Sequence, residues 1–164
     1  MGLAAAASAG EAPGGVLGVT ASPFVGVSGG RLTLEGQPWA FTGYDSYRLT
    51  SVAVGAKFNC GGLYSTAWLN QALDEMATSS GTAVVRTWFF QSYSAANYIQ
   101  FDTVLAAAAQ RHIKIIPVLV NQWNDCEPWS GAGRPYKPLA WYQGGYKVAG
   151  DGYPISFRDY AVRM

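Results

Sequence analysis

Along this chain, short apolar runs bounded by glycines alternate with stretches in which apolar residues recur every three or four positions, the marks of strands and of amphipathic helices. Residues 24–28 and 31–35 flank Gly29-Gly30 and read as two strands around a tight turn. Gly36-Gln37-Pro38 reads as a second turn, completing a hairpin cap. Residues 39–44 read as a third strand running into Asp45-Ser46-Tyr47-Arg48. Residues 49–64 hold several glycines and no period, so they read as a loop with a short helical piece. From Ser65 the period changes: Trp68, Leu69, Ala72, Leu73 and Met76 share one helical face, with Ser65 or Thr66 as cap and Gly81 as stop. Residues 82–89 read as a strand. A second helix is expected over residues 101–111, with Phe101, Val104, Leu105 and Ala108 on one face. Residues 113–120 are almost continuously apolar, as in a parallel strand covered on both sides.

After that strand comes a long loop, residues 121–155, which carries Trp123, Trp129, Trp141 and Tyr142. Loops of that length inside compact domains usually carry function. Phe157, Tyr160 and Ala161 share the face of a last helix that begins at Ser156. The order, one hairpin and then β-α-β-α-β-α, predicts an α/β fold with a parallel sheet and right-handed crossovers. Residues 1–22 are rich in Ala and Gly and lack the basic start and long apolar run of a secretory signal. They read as a flexible leader, and residues 23–164 as the folded portion. A parallel sheet whose last strand is as apolar as 113–120 would leave a bare edge, so either a partner chain covers it or the chain is incomplete, and incompleteness is the favoured expectation.

Composition changes the picture by exclusion. Apolar residues make up 49% and the net charge is +1, which fits a globular core and gives no electrostatic case for nucleic acid. No apolar run reaches the ~20 residues of a membrane helix. Charged residues are only 13% while aromatics reach 14%, a balance suited to an uncharged ligand held by rings and hydroxyls, as a sugar is. The same rings could equally form a Trp-rich core. Cys60 and Cys126 have no metal-ligand spacing, leaving either one bridge or two buried thiols. The one histidine, His112, lies at a helix-to-strand junction, where a solvated residue is expected rather than a catalytic one. No cofactor or metal is expected.

Ligand groups of a parallel α/β barrel gather at the carboxyl ends of its strands. Tyr44, Asp45 and Tyr47 follow the first barrel strand, Arg86 and Trp88 end the second, and Asn121, Trp123, Asn124, Asp125 and Glu127 follow the third. Arg86, after two valines, is expected to be buried and therefore to meet an anion. That anion could be a structural carboxylate or a catalytic nucleophile oriented by the guanidinium fork.

Five segments in register, Phe41-Thr42-Gly43, Val84-Val85-Arg86-Thr87-Trp88, Phe101-Asp102 through Ala107-Ala108, Leu119-Val120-Asn121-Gln122-Trp123 and Ser156-Phe157-Arg158-Asp159-Tyr160, resemble glycoside hydrolase family 5, in particular its endo-β-mannanase branch. The resemblance implies the N-terminal part of a TIM (β/α)8 barrel with a short N-terminal hairpin, cut after about three βα units. It implies a secreted, extracellular, monomeric enzyme that hydrolyses β-1,4-linked polysaccharide by a retaining mechanism with two glutamates, both falling beyond Met164. Mannan is the favoured substrate. A cellulase and a noncatalytic carbohydrate-binding barrel are the alternatives. Arg86 matches the arginine that contacts the nucleophile, Trp88 the aromatic beside it, and Asn121 with Trp123 the substrate-side pair. Tyr47 joins them as a candidate substrate contact. Where mannanases usually carry Gly-Thr-Asn, this chain has Gly43-Tyr44-Asp45. On such a barrel the loops bearing Cys60 and Cys126 leave from one rim, so a disulfide between them is expected ahead of separate thiols.

Overall fold

A computed structural model of the chain describes residues 24–50, 53–54, 57–58, 65–80, 83–93, 98–122, 126, 136–150 and 152–164. The leader at residues 1–22 lies outside them. The chain divides into two compact units, Met1–Ala40 and Phe41–Met164, so the hairpin cap is a unit of its own.

In the first unit, β1 (Val25–Ser28), β2 (Arg31–Leu34) and β3 (Gln37–Pro38) form an antiparallel meander. Gly29 and Gly30 both adopt left-handed angles, φ 56° and 73°, as a two-residue turn matched to strand twist requires. The second turn uses Glu35 and Gly36, φ 53° and 78°. It therefore begins one residue earlier than the sequence suggests, and Gln37 and Pro38 already pair with Leu34 and Thr33.

The second unit is built on a parallel sheet. Its elements in chain order are β4 (Gly43–Asp45), the short antiparallel pair β5 (Ala53–Val54) and β6 (Lys57–Phe58), helix α1 (Thr66–Ser80), β7 (Val84–Trp88), helix α2 (Ile99–Ala109), β8 (Lys114–Val118), helix α3 (Leu139–Gln143) and helix α4 (Phe157–Arg163). The sheet order is β4-β7-β8, both pairings parallel. Two expectations change here. The strand foreseen over residues 39–44 is in the sheet only from Gly43, and residues 53–54 and 57–58 form a strand pair where a loop was expected. Gly43 lies close against β7: a Cβ there would fall 2.5 Å from the Val84 carbonyl oxygen.

The core sits between one face of the sheet and the helices. Strand alternation sends Val85, Thr87 and Phe89 to that side, where all three are buried. Against them pack Leu69 and Leu73 of α1 and Phe101, Val104, Ala107 and Ala108 of α2, with the Phe89 and Phe101 rings stacked at 4.4 Å. Leu105, assigned to this face from its spacing, is 42% exposed. At 100° per residue it falls about 90° from the centre of the stripe made by the four buried residues, so it lies on the flank. The expected two-sided cover of residues 113–120 is also absent: Ile116 is 45% exposed and Pro117 is exposed too.

Three local devices fix the helices. Ser65 Oγ accepts from Trp68 N at 3.1 Å, capping α1. Arg111, just past α2, spans to α1 by donating from Nε and Nη2 to the two oxygens of Asp74, at 2.7 and 3.1 Å. Through this bond Arg111 holds the Asp74 carboxyl below the usual carboxylate range. Ser156 caps α4 by accepting from Asp159 N at 3.1 Å, and hydrogen bonding with Ser156, then with Arg158, lowers the Asp159 pKa. Tyr160 of α4 is fully buried and donates its hydroxyl to Phe89 O. Burial, with Tyr98 adding to it, pushes that phenol far above its ordinary range.

The described residues thus make a mixed α/β unit with a three-stranded parallel sheet. Three strands do not by themselves close a barrel.

Candidate functional site

The face of the sheet turned away from the helices carries the candidate chemistry. Register pairs Asp45 with Arg86 and Arg86 with Ile116, so these three project on the same side, with Trp88 and Val118 one pleat further on. Arg86 is not buried as the sequence suggested. Its side chain is 47% exposed and pairs with Asp45, 60% exposed, through Nη1 to Oδ2 at 2.6 Å. Among the described residues helices cover one face of β7 only, and Arg86 belongs to the other. Its anion is the neighbouring aspartate of β4, one of the residues singled out after the first strand.

Tyr47 and Trp88 come together as stacked rings with centroids 5.0 Å apart, and Phe90 stacks on Trp88 at the same separation. Hydrogen bonds to the β7 backbone hold this group in place. Ser46 N donates to Arg86 O at 2.9 Å, extending the ladder past β4, and the Thr50 hydroxyl donates to Trp88 O. Tyr47 rides on a 3-10 turn, Tyr47–Leu49, whose buried residue is Leu49. Phe90 was not singled out from the sequence, although its alternation with Trp88 along one extended segment was the available signal.

Asn121 is half-buried and lies three residues past Val118, the register partner of Trp88, and so at the same end of the sheet. Trp123, Asn124, Asp125, Glu127 and Cys60 lie outside the described residues. Cys126 is disulfide-bonded and has φ 67°. His112 is exposed at the end of α2, with φ 57°. Among the described residues no group of His, Cys, Asp or Glu side chains could hold a metal ion.

A separate cavity of about 260 Å³ opens beside Leu119 and Val120, walled by Trp141, Tyr153, Phe157 and the side chains of Gln91 and Lys137. Lys137 is 8% exposed and places Nζ 5.0 Å from the centre of the Trp141 ring. The loop assignment for residues 121–155 did not anticipate α3, which carries that tryptophan.

A guanidinium carries five N–H donors. Asp45 takes one terminal nitrogen, and among the described residues Nε and Nη2 make no hydrogen bond. The open face therefore offers a cation tied along one edge, suited to an anion, next to the partly exposed rings of Tyr47 and Trp88, suited to the apolar face of a sugar, while Phe90 is buried.

No family model matches the chain. Curated relatives do, and they agree. Over 154 residues, 86% of this chain, it is 30% identical to mannan endo-1,4-beta-mannosidase 2 of Oryza sativa subsp. japonica. Over 125 residues, 66% of the chain, it is 30% identical to putative mannan endo-1,4-beta-mannosidase 4 of Arabidopsis thaliana. With mannan endo-1,4-beta-mannosidase 3 of Solanum lycopersicum it shares 29% identity over 116 residues. Its relatives are mannanases. The resemblance to the mannanase branch of glycoside hydrolase family 5 is thereby borne out. The chain spans under a third of the length of these mannanases, 27%, 29% and 31% of the tomato, Arabidopsis and rice proteins.

Proposed function

We propose that this chain is the N-terminal part of a secreted, retaining β-glycanase with a (β/α)8 barrel, acting on β-1,4-mannan. The observation that carries the reading is Arg86: a cation on the helix-free face of a parallel strand, tied along one edge by Asp45, with Trp88 and Tyr47 stacked beside it. The relatives, mannan endo-1,4-beta-mannosidases, support mannan ahead of glucan. In this reading Arg86 orients the nucleophile glutamate, while Trp88, Tyr47, Asn121 and Trp123 contact the sugar chain. The two glutamates that cleave by double displacement come from polypeptide beyond Met164.

Hydrolysis assays on soluble β-mannan and on a soluble β-1,4-glucan test this. The 164-residue chain alone should release no reducing ends above a heat-killed control. The full polypeptide should hydrolyse mannan faster than glucan, and Arg86→Ala in it should lower kcat far more than it raises KM. Mannan binding without hydrolysis by the full polypeptide would favour a noncatalytic carbohydrate-binding barrel. Hydrolysis by the 164-residue chain would overturn the placement of the glutamates.

A further inference from the structure

We propose that Asp45 is the positioning residue for Arg86, fixing the guanidinium before any substrate arrives; this rests on the function proposed above. The two residues are register partners on adjacent parallel strands, so their Cα positions are set by the sheet rather than by a loop. The Ser46 N to Arg86 O bond continues the ladder immediately past Asp45, and the close approach at Gly43 precedes it by two residues. Asp45 is therefore held firmly at both sides, and its short side chain reaches a fixed spot, 2.6 Å from Arg86 Nη1.

Arginine needs such a tether here. Within this chain its side chain is 47% exposed, and the ion pair with Asp45 is the directed contact that selects its rotamer. A long cationic side chain loses many rotamers when it is fixed in one geometry. Pairing with Asp45 removes part of that freedom in advance and leaves Nε and Nη2 to address a second anion, as pre-organised catalytic groups require. As a mere surface ion pair it would add little to stability and nothing to turnover. Asp45 touches neither substrate nor reacting atoms in this scheme; it acts through Arg86.

Steady-state kinetics of the full polypeptide on β-mannan, and side-chain NMR of the Arg86 Nε–H, provide the test. Asp45→Ala should lower kcat by roughly tenfold or more with KM changed by less than about twofold. Asp45→Asn, which keeps an acceptor of the same shape, should fall between the two. Asp45→Ala combined with Arg86→Ala should be no slower than Arg86→Ala alone, because the aspartate has nothing left to position. Exchange of the Arg86 Nε–H with water should be faster in Asp45→Ala than in the parent. An active parent whose kcat is unchanged by Asp45→Ala, or a double variant in which the two losses multiply, would overturn the proposal. If the parent hydrolyses no polysaccharide, the functional reading fails and the exchange measurement alone decides: an unchanged Arg86 signal in both Asp45 variants would refute positioning. Should Asp45→Ala fail to fold, the isosteric Asp45→Asn carries the same kinetic and exchange tests.

Discussion

The two faces of the parallel sheet differ in kind although they share the same strands. On the helix side, Val85, Thr87 and Phe89 lose all contact with water and pack against α1 and α2. On the other, Asp45, Arg86 and Ile116 are about half exposed while Val84 and Phe90 are buried, and order around Arg86 comes from one ion pair and a stack of rings. One face is held by packing, which tolerates little change of volume. The other is held by directed polar contacts, which leave groups available for chemistry.

The sharpest way to probe that contrast is to cut into the packed face. Phe101→Ala removes a fully buried ring stacked on Phe89 and should cost about 3–5 kcal/mol, read as a fall in the denaturant midpoint with unchanged slope. A loss below about 1 kcal/mol would mean that the helix side is loosely packed. Tyr160→Phe keeps the ring but leaves Phe89 O without its donor, so a loss of about 1–3 kcal/mol is expected by the same measurement.

A smaller effect, tied to pH, concerns the pairing of α1 with the end of α2. Arg111 depresses the Asp74 pKa in the folded state, so Asp74 stabilises the fold at every pH above the ordinary carboxylate range. That contribution shrinks as pH falls below this range, where the unfolded chain takes up the proton first, and is gone once the folded carboxyl protonates as well. Asp74→Asn should therefore lower the unfolding midpoint at pH 7 and change it least at the acid end of a titration. An equal shift at all pH values would show that charge plays no part. Smallest of all should be Ile116→Thr, on the open face, with a change of about 1 kcal/mol or less in the same unfolding assay. A large loss there would mean that this face is packed too.

Much of the architecture was legible because its signals are local. The periodicity from Trp68 to Met76, the Ser65 cap and the double glycine at Gly29-Gly30 each act within a few residues, and each produces the expected element. What was not legible depends on which side of a strand gets covered. Val84-Val85-Arg86 looks buried when written as a line, yet alternation places Arg86 opposite the helices, and only the tertiary arrangement says that no helix covers it. For Leu105 the period was right and the width of the stripe was not. In the site, Asp45 and Tyr47 were both noted as following the first strand, but their pairing with Arg86 and Trp88 depends on the parallel register, a relation between segments some forty residues apart.

Gly43 ties these observations to mutational tolerance. Any side chain there must displace the Val84 carbonyl, because even a methyl carbon would fall 2.5 Å from its oxygen. Relief comes by prying β4 away from β7, and the same movement carries Asp45, two residues on, out of reach of Arg86. In a saturation library position 43 should therefore behave like a functional residue, intolerant of every substitution, although it has no side chain and touches no ligand. Its sensitivity would measure how closely two strands must approach for a charge on one to be steadied by the other.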